Sequence, residues 1–555
     1  MPYVFLPAVL SGLLLWAAFF PLNLGFLGFV ALVPWLSLVR ADVPRRRRYL
    51  AAYLGGVVFF TLATKWVRVA HPMMYFSWLG FAVVMPLTWV LALDLIRRLD
   101  RLGLPLAFSV PAAWVALEYA RMHFPTGFPF LEPLGLRHMI GFGWYFLGYT
   151  QHDFRPLLQL ADLGGVYAVS CVVALVNGLV ADWAYRPRPS PTPSAAAPAL
   201  RRPRPVVATV LVPALFAAAL GYGLVRLRHE DFTPGPRVAA LQGSIPQDEK
   251  NAKGQSLAET YGRLHLKAVQ GPHPPDLVVW PETCFPDDWL EVAPGQTPSP
   301  EFARAAERRR ALFAALRWGA PTLAGLNLVE WDDGRLWKYN TALLLGRNGS
   351  PQGRYDKMHL VPFGEYVPLG NVFPFLSVFT PYSHDYACRP GERWTRFEVV
   401  PRDGARHTFA CLICYEDSDP SLARRYVEPR AGNRVEDEPV DFFVNISNDG
   451  WFDGTEEHEQ HLAICRFRAV ETRRSVVRAV NMGISAVIDP DGGVVALPGK
   501  SWAGSVKVEG VVEAVVPVDD RPTLFAALGD WVPGACWLVV AVGLVAGRSR
   551  PRPLS

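Results

Sequence analysis

Long, nearly charge-free apolar runs crowd the first 227 positions of the chain and return after Leu524, while the stretch between them alternates short β-branched runs with amphipathic ones. A helix needs about 20 apolar residues to cross the hydrocarbon core of a bilayer. The runs Tyr3–Phe20, Leu24–Val39, Leu50–Thr64, Tyr75–Leu95, Leu104–Tyr119, Leu160–Trp183, Val206–Leu227 and Leu524–Gly547 therefore predict eight membrane spans, seven before the central region and one after it. The first run lacks a basic leading segment and a small-x-small cleavage site, so it reads as an uncleaved span.

In the central region RVAALQG, DLVVWPE, PTLAGLNLV, NTALLLG, FACLICYE, DFFVNISND and SVVRAVNMG read as buried strands. Leu257–Ala268, Pro300–Leu316 and His458–Arg473 read as helices. Strands alternating with helices predict an α/β domain whose sheet is largely covered, with its site on loops beyond strand ends. The expected organisation is a membrane domain over 1–228, a globular domain over 229–520, and a last span with its tail over 521–555.

Composition agrees with a membrane protein: 51% of the 555 residues are hydrophobic and only 19% are charged, against roughly 25% in soluble chains. Mean hydropathy is +0.15. Disorder and a collagen-like chain are excluded, and a net charge of +5 calls for no nucleic-acid partner. The arginines instead mark alternate loops: Arg45–Arg48; Arg97, Arg98 and Arg101; Arg186 to Arg204; and Arg548, Arg550 and Arg552. By the positive-inside rule these loops are cytoplasmic, which puts both termini inside and the globular domain outside. Lys65, Arg68 and Arg137 weaken this pattern without reversing it. The Pro-rich stretch from Arg186 to Arg204 reads as an extended cytoplasmic linker. The aromatic loop from Met122 to Arg155 reads equally as a headgroup-resting or a packed outer loop. Seven cysteines, an odd number, do not make a disulfide scaffold.

Three strand ends or adjacent loops carry capable chemistry: Glu282 closes DLVVWPE, Lys357 lies in YDKMHLVPFGEYVP, and Cys414 ends the strand FACLIC, followed by Tyr415 and Glu416. Brought together, a thiol, a carboxylate to take its proton, and a cation to lower the thiol pKa and hold an oxyanion make an acyl-transfer centre. Cys411 and Cys414 also form C-x-x-C, but residues three apart in an extended strand face opposite sides. No second pair completes a zinc set, and no metal or other cofactor is expected.

The motifs WPE, KxHLVPFGE and CYE resemble the nitrilase (carbon-nitrogen hydrolase) superfamily. WPETCFP, YDKMHLVPFGEYVP, ICYED, NISNDGWF and QHLAICRFRAVETRRSVVRAVNMGISAVIDPDG narrow the resemblance to bacterial apolipoprotein N-acyltransferases, and TGFPF, GYTQ and LADLGGVYAVS extend it over nearly the whole chain. The resemblance implies an αββα sandwich inserted into a helical membrane bundle. It makes Glu282 the general base, Lys357 the oxyanion stabiliser and Cys414 the nucleophile, with Glu365 and Glu416 as essential supports and Tyr415 and Asn340 near the site. Asn448 and Asp449 are expected to brace loops. The implied reaction passes an acyl chain from a phospholipid, through a Cys414 thioester, to the α-amino group of a diacylglyceryl-modified N-terminal cysteine of an apolipoprotein. The implied setting is the outer face of the cytoplasmic membrane, with a monomer in contact with membrane lipids. Two departures stand out: Asn251 where the family has Trp after Lys, and DGTEEHEQH where a Gly-Pro loop is usual. The rival readings are a membrane-tethered amidase using the same residues and a catalytically silent scaffold.

Overall fold

The computed structural model describes residues 4–124, 128, 141–185, 206–228, 231–252, 255–316, 318–362, 364–367, 387–402, 404–428 and 438–548. It separates into one unit of residues 1–67, 75–228 and 528–555 and another of residues 68–74 and 229–527. The Pro-rich stretch from Arg186 to Arg204 lies outside the described residues.

The apolar runs at both ends of the chain fold as helices, among them Phe5–Ala18, Val33–Arg40, Arg45–Ala63, Leu106–His123, Ala161–Ala184, Val206–Arg226 and Trp531–Arg548. Among the described residues three stretches are long and apolar enough to cross a membrane: Met74–Arg101, Ala161–Ala184 and Val206–Arg226. Phe5–Ala18, Gly25–Arg40 and Trp531–Gly547 are apolar but shorter. The eight predicted runs fall short of eight full-length apolar helices for local reasons. The second begins as a 3-10 turn over Gly25–Phe29, the helix that holds the third, Arg45–Ala63, spends its first turn on Arg45–Arg48, and the helix that holds the fifth, Leu106–His123, carries Glu118 and Arg121. Large apolar side chains point outward from these helices, with Leu6 69%, Val207 72% and Leu538 64% exposed, a surface that suits lipid rather than water. Arg40 ties three helices together, its guanidinium 2.9 Å from Asp100 and 2.6 Å from Asp182.

The aromatic outer loop is partly inside this unit. Residues Trp144 to His152 are buried around a 3-10 turn, Leu147–Gln151. Leu147 N donates to Glu118 Oε1 at 2.6 Å, and Gly148 N to Ser170 Oγ at 2.8 Å. These N–H groups find acceptors inside the unit, so this half of the loop is packed as one of the two readings expected. Positions 125–127 and 129–140 lie outside the described residues.

The second unit is built on thirteen strands: β1 Thr233–Gln242, β2 Leu277–Val279, β3 Trp289–Val292, β4 Thr322–Asp332, β5 Arg335–Leu345, β6 Pro351–Asp356, β7 Phe397–Val399, β8 His407–Ile413, β9 Phe442–Ser447, β10 Ser475–Val480, β11 Ala486–Ile488, β12 Val494–Ala496 and β13 Gly510–Val518. One sheet runs β13-β1-β2-β4-β5-β6 with β3 added on β4, and the other runs β12-β11-β10-β9-β8-β7. In β8, Phe409, Cys411 and Ile413 enter the apolar layer shared with Val238, Val279, Leu323 and Leu344 of the first sheet. Ala410 and Leu412 face the other way, toward Leu422, Leu462, Cys465 and Ala469. Helix Gln255–Val269 and Phe313 of helix Pro300–Ala315 cover the first sheet in the same manner. A strand covered on both faces needs no polar alternation, which is why these strands read as unbroken apolar runs. The result is the expected four-layered αββα sandwich.

Phe409 is fully buried and stacks on Phe397 at 5.2 Å and Phe442 at 5.1 Å. Phe409→Ala should destabilise the second unit by about 3–5 kcal/mol, read as a lowered unfolding midpoint of the full chain in detergent. An unchanged midpoint would mean that the layer between the sheets does not hold the sandwich together.

Candidate active site

Three strand ends deliver the central side chains. Glu282 follows β2 in a turn whose next residue, Thr283, has φ +48°. That turn lies so close to β4 that a Cβ on Gly325 would meet the Pro281 carbonyl oxygen at 2.1 Å, so only glycine fits there. Lys357 directly follows β6, and its N–H donates to the Asn340 carbonyl of β5 at 2.9 Å, extending the pairing by one residue. Cys414 directly follows β8 and opens a 3-10 turn, Cys414–Ser418, with φ +56°. A left-handed conformation is costly for a residue with a Cβ and marks a position held by its surroundings.

The geometry joins four of the seven sequence-predicted residues in one cluster. Lys357 Nζ lies 3.2 Å from Glu282 Oε1 and 2.9 Å from Glu365 Oε2. Asn340 Nδ2 donates to Glu282 Oε1 at 2.7 Å and to Glu365 Oε1 at 2.8 Å. Glu365 Oε2 also accepts the Val361 N–H at 2.8 Å. Lys357 is 1% exposed. Burial works against its charge, but Glu282 and Glu365 outweigh burial and hold the ammonium well above the usual lysine range.

Cys414 is half-buried and within electrostatic reach of Glu282, Lys357, His461 and Asp449. Burial, reinforced by Glu282, pushes its thiol up to about 12, against the downward pull of Lys357 and His461. Lys357 pulls in the expected direction and lowers the thiol pKa, but burial and Glu282 outweigh it.

Glu416 has no exposure and touches the chain on both sides of the site. Its Oε1 accepts the N–H of Met358 at 2.8 Å and of His359 at 3.0 Å, and its Oε2 accepts the N–H of Ile413 at 2.7 Å. The Tyr355 hydroxyl donates to both oxygens at 3.0 Å. Glu416 thus fastens the segment after Lys357 to the turn at Cys414. Burial raises its carboxyl to about 7, although these N–H groups and Lys357 favour the anion. The half-buried Tyr415 senses Lys357 and Glu365 electrostatically, and its hydroxyl has no hydrogen-bond partner among the described residues.

Sequence reasoning missed a second buried cluster formed by Asp417, Asn445, Asp449, His461 and Arg478. A signal was present in the arginine at the centre of the apolar run SVVRAV, a position that is buried, as are all residues but Glu459 of the helix that carries His461. Asn448 does brace loops: it donates to Gln247 Oε1 at 2.6 Å and accepts from Asn481 at 3.0 Å. Asp449 does more, meeting both His461 and Arg478. Ligand atoms of Asp449, Glu457 and His461 lie within 4.8 Å of one another. However, Arg478 Nη2 already sits 2.7 Å from Asp449 Oδ2, and His461 faces a carboxylate from each ring nitrogen, so protein cations fill the role a metal would take. Glu457 belongs to the unusual DGTEEHEQH stretch and places Oε1 3.4 Å from His461. Asn251 accepts from Gln247 at 2.7 Å. The strand argument for Cys411 and Cys414 also needs correction, because Cys414 has left the strand and both residues pack against the layer between the sheets.

A thiol held protonated has a simple signature. Alkylation of Cys414 by iodoacetamide should rise about tenfold per pH unit from pH 6 to 10 with no plateau, since the thiolate fraction grows that way below a pKa of about 12. A plateau near neutral pH would indicate a standing thiolate paired with Lys357.

Two family models match the chain: Apolipoprotein N-acyltransferase N-terminal domain over residues 11–179 and Carbon-nitrogen hydrolase over residues 237–513. The chain is 32% identical to an apolipoprotein N-acyltransferase of Geobacter metallireducens, over 97% of its own length and 94% of the relative's. It is 30% identical to one of Caulobacter vibrioides, over 95% and 90%. A similar solved structure is Nit3 of Saccharomyces cerevisiae, a member of branch 10 of the nitrilase superfamily, at 21% identity and a TM-score of 0.33, covering 52% of this chain and 92% of that one. With both units matched and the likeness to full-length relatives running almost end to end, the chain belongs to the apolipoprotein N-acyltransferase family.

Proposed function

We propose that this chain transfers an acyl group from a membrane phospholipid to the α-amino group of the diacylglyceryl cysteine that begins an apolipoprotein, through a thioester on Cys414. The observation that carries this reading is the buried Lys357 ammonium clamped by Glu282 and Glu365 within reach of a left-handed cysteine. In the first half-reaction Glu282 takes the Cys414 proton as sulfur attacks the ester carbonyl. Lys357 stabilises the resulting oxyanion, and the lysophospholipid alkoxide leaves with the proton from Glu282. In the second half-reaction the amine attacks the thioester, Glu282 receives its proton, and the Cys414 thiol is restored. An α-ammonium has a pKa near 7.7–8.0, so one carboxylate suffices to free it. Glu365 and Asn340 position Lys357 and Glu282, and Glu416 keeps the two loops in register. Donor and acceptor are both bilayer-anchored, which raises their effective concentration at the site.

In this reading the apolar ends of the chain supply eight spans in the cytoplasmic membrane, the domain over 229–520 lies on the outer face, and the enzyme works as a monomer. The alternate arginine-rich loops support that orientation. An amidase passing the acyl group to water is not favoured, because full-length relatives named for N-acyl transfer match both units.

Intact mass after incubation with phospholipid vesicles tests the reaction. An acyl adduct removable by hydroxylamine is expected; Cys414→Ala should lose it and Cys411→Ala should keep it. An adduct on Cys411 or Cys284 would overturn the assignment. Lys357→Met should slow thioester formation on the order of 100- to 1000-fold, and a wild-type rate would reduce Lys357 to a structural element. Protease added outside spheroplasts should cut between Arg237 and Val518. Protection there, with cleavage by the external protease near Ser190 instead, would invert the topology.

A further inference from the structure

The Cys414 carbonyl is held from behind. Asn445 Nδ2 donates to it at 3.1 Å and to the Leu412 carbonyl at 3.2 Å. Asn445 Oδ1 accepts from Arg478 Nη1 at 2.6 Å, and Arg478 Nη2 donates to Asp449 Oδ2 at 2.7 Å. Asp449 Oδ1 faces His461 Nδ1 at 3.1 Å, and His461 Nε2 faces Asp417 Oδ1 at 2.9 Å. Asp417 lies in the same 3-10 turn that Cys414 opens, so the chain of contacts closes into a ring. The five side chains come from β9, β10, the turn Asp449–Phe452, the helix Glu457–Thr472 and the turn at Cys414, and none is more than 1% exposed.

Two chemical points follow. Carboxylates at both ring nitrogens require both to donate, so His461 is an imidazolium. The groups facing it are Asp417 from the turn, Asp449 and Arg478 from the neighbouring elements, and Glu457 and His458 from its own helix. Charges taken out of water are costly even when paired, and well-packed apolar residues often replace them without loss. Stability alone therefore does not account for a ring of four charges at this place.

We propose that the ring Asn445–Arg478–Asp449–His461–Asp417 is a positioning device for the nucleophile: it clamps the Cys414 carbonyl, keeps Cys414 left-handed, and holds the carboxylate-paired His461 cation within electrostatic reach of the thiol. A trans peptide points its N–H opposite its carbonyl, so the clamp also fixes the direction of the Tyr415 N–H. The inference rests on Cys414 being the nucleophile.

Three variants of the full chain in phospholipid vesicles test it, each read as the Cys414 acylation rate, the pH profile of Cys414 alkylation, and the unfolding midpoint. Asn445→Ser removes the clamp without removing a charge and should cut acylation on the order of 100-fold with the alkylation profile unmoved. His461→Gln removes the fixed charge and should displace the alkylation profile to higher pH. Arg478→Lys keeps the charge but loses the two-pronged contact, and should lose rate while retaining the wild-type profile. Folded Asn445→Ser and His461→Gln proteins with wild-type rate and profile would overturn the ring's role. Should His461→Gln fail to fold, the rate of Asn445→Ser alone decides. If wild-type Cys414 takes no acyl group yet the alkylation profile still moves in His461→Gln, acyl transfer fails while the ring stands.

Discussion

An ammonium at 1% exposure cannot stand alone, and around Lys357 the whole site is arranged to keep it company. Glu282 and Glu365 approach the same nitrogen, and two carboxyl groups brought so close would repel each other without it. Each of the three therefore depends on the other two. Glu282 comes from the end of β2, Lys357 from the end of β6 and Glu365 from the loop beyond it, while Asn340 of β5 bridges the carboxyl groups. The requirement to satisfy one buried cation thus fixes the relative position of three chain segments that the sandwich merely brings near. Gly325 and the left-handed Thr283 are further consequences, since the Glu282 turn must press against β4 to reach Lys357.

How much of this was legible in the sequence follows from how locally each feature is specified. Strands β1, β4, β5, β8, β9 and β10 have both faces covered and announce themselves as apolar runs, and helices Gln255–Val269, Pro300–Ala315 and Glu457–Thr472 follow their predicted limits within a few residues. β3, β6, β7, β11, β12 and β13 escaped, because short or partly exposed strands leave no continuous apolar run: β12 is Val494–Ala496 with no fully buried residue, and in β13 only Val512 and Val516 are buried. Glu282, Lys357 and Cys414 stood out because each sits in a motif at a strand end. What their spacing does not contain is the balance of burial against charge, which sets the net direction of the Cys414 thiol although Lys357 pulls as expected.

Long-range polar pairing was the other blind spot. His461, Asp449, Asp417 and Arg478 look like surface residues when each is judged by type, and only the fold shows that they are one another's partners. In the helical unit the aromatic stretch around Phe146 reads equally as interfacial or packed by composition, and it is buried, with Glu118 and Ser170 offering acceptors for its backbone. In both cases internal hydrogen bonding, which composition does not display, decides the placement.

The charge arrangement bears on how one site serves two half-reactions. Cys414 faces an ammonium and two carboxyl groups in one cluster, and a cluster of paired cations and carboxylates in the other. Surroundings with no surplus of positive charge do not favour a free thiolate, and a resting thiol is protected from oxidation and stray electrophiles. In the proposed reaction the proton is shared within the site: it moves from sulfur to Glu282 as a carbonyl is attacked and onward to the departing alkoxide, so that no step leaves an extra buried charge. When the amine arrives, its proton follows the reverse path to sulfur, and the same carboxylate serves again without retuning. A centre built around one mobile proton and one fixed cation suits an enzyme whose two substrates must be used in turn from the same bilayer, because the acyl thioester between them is electrically neutral at sulfur and can wait.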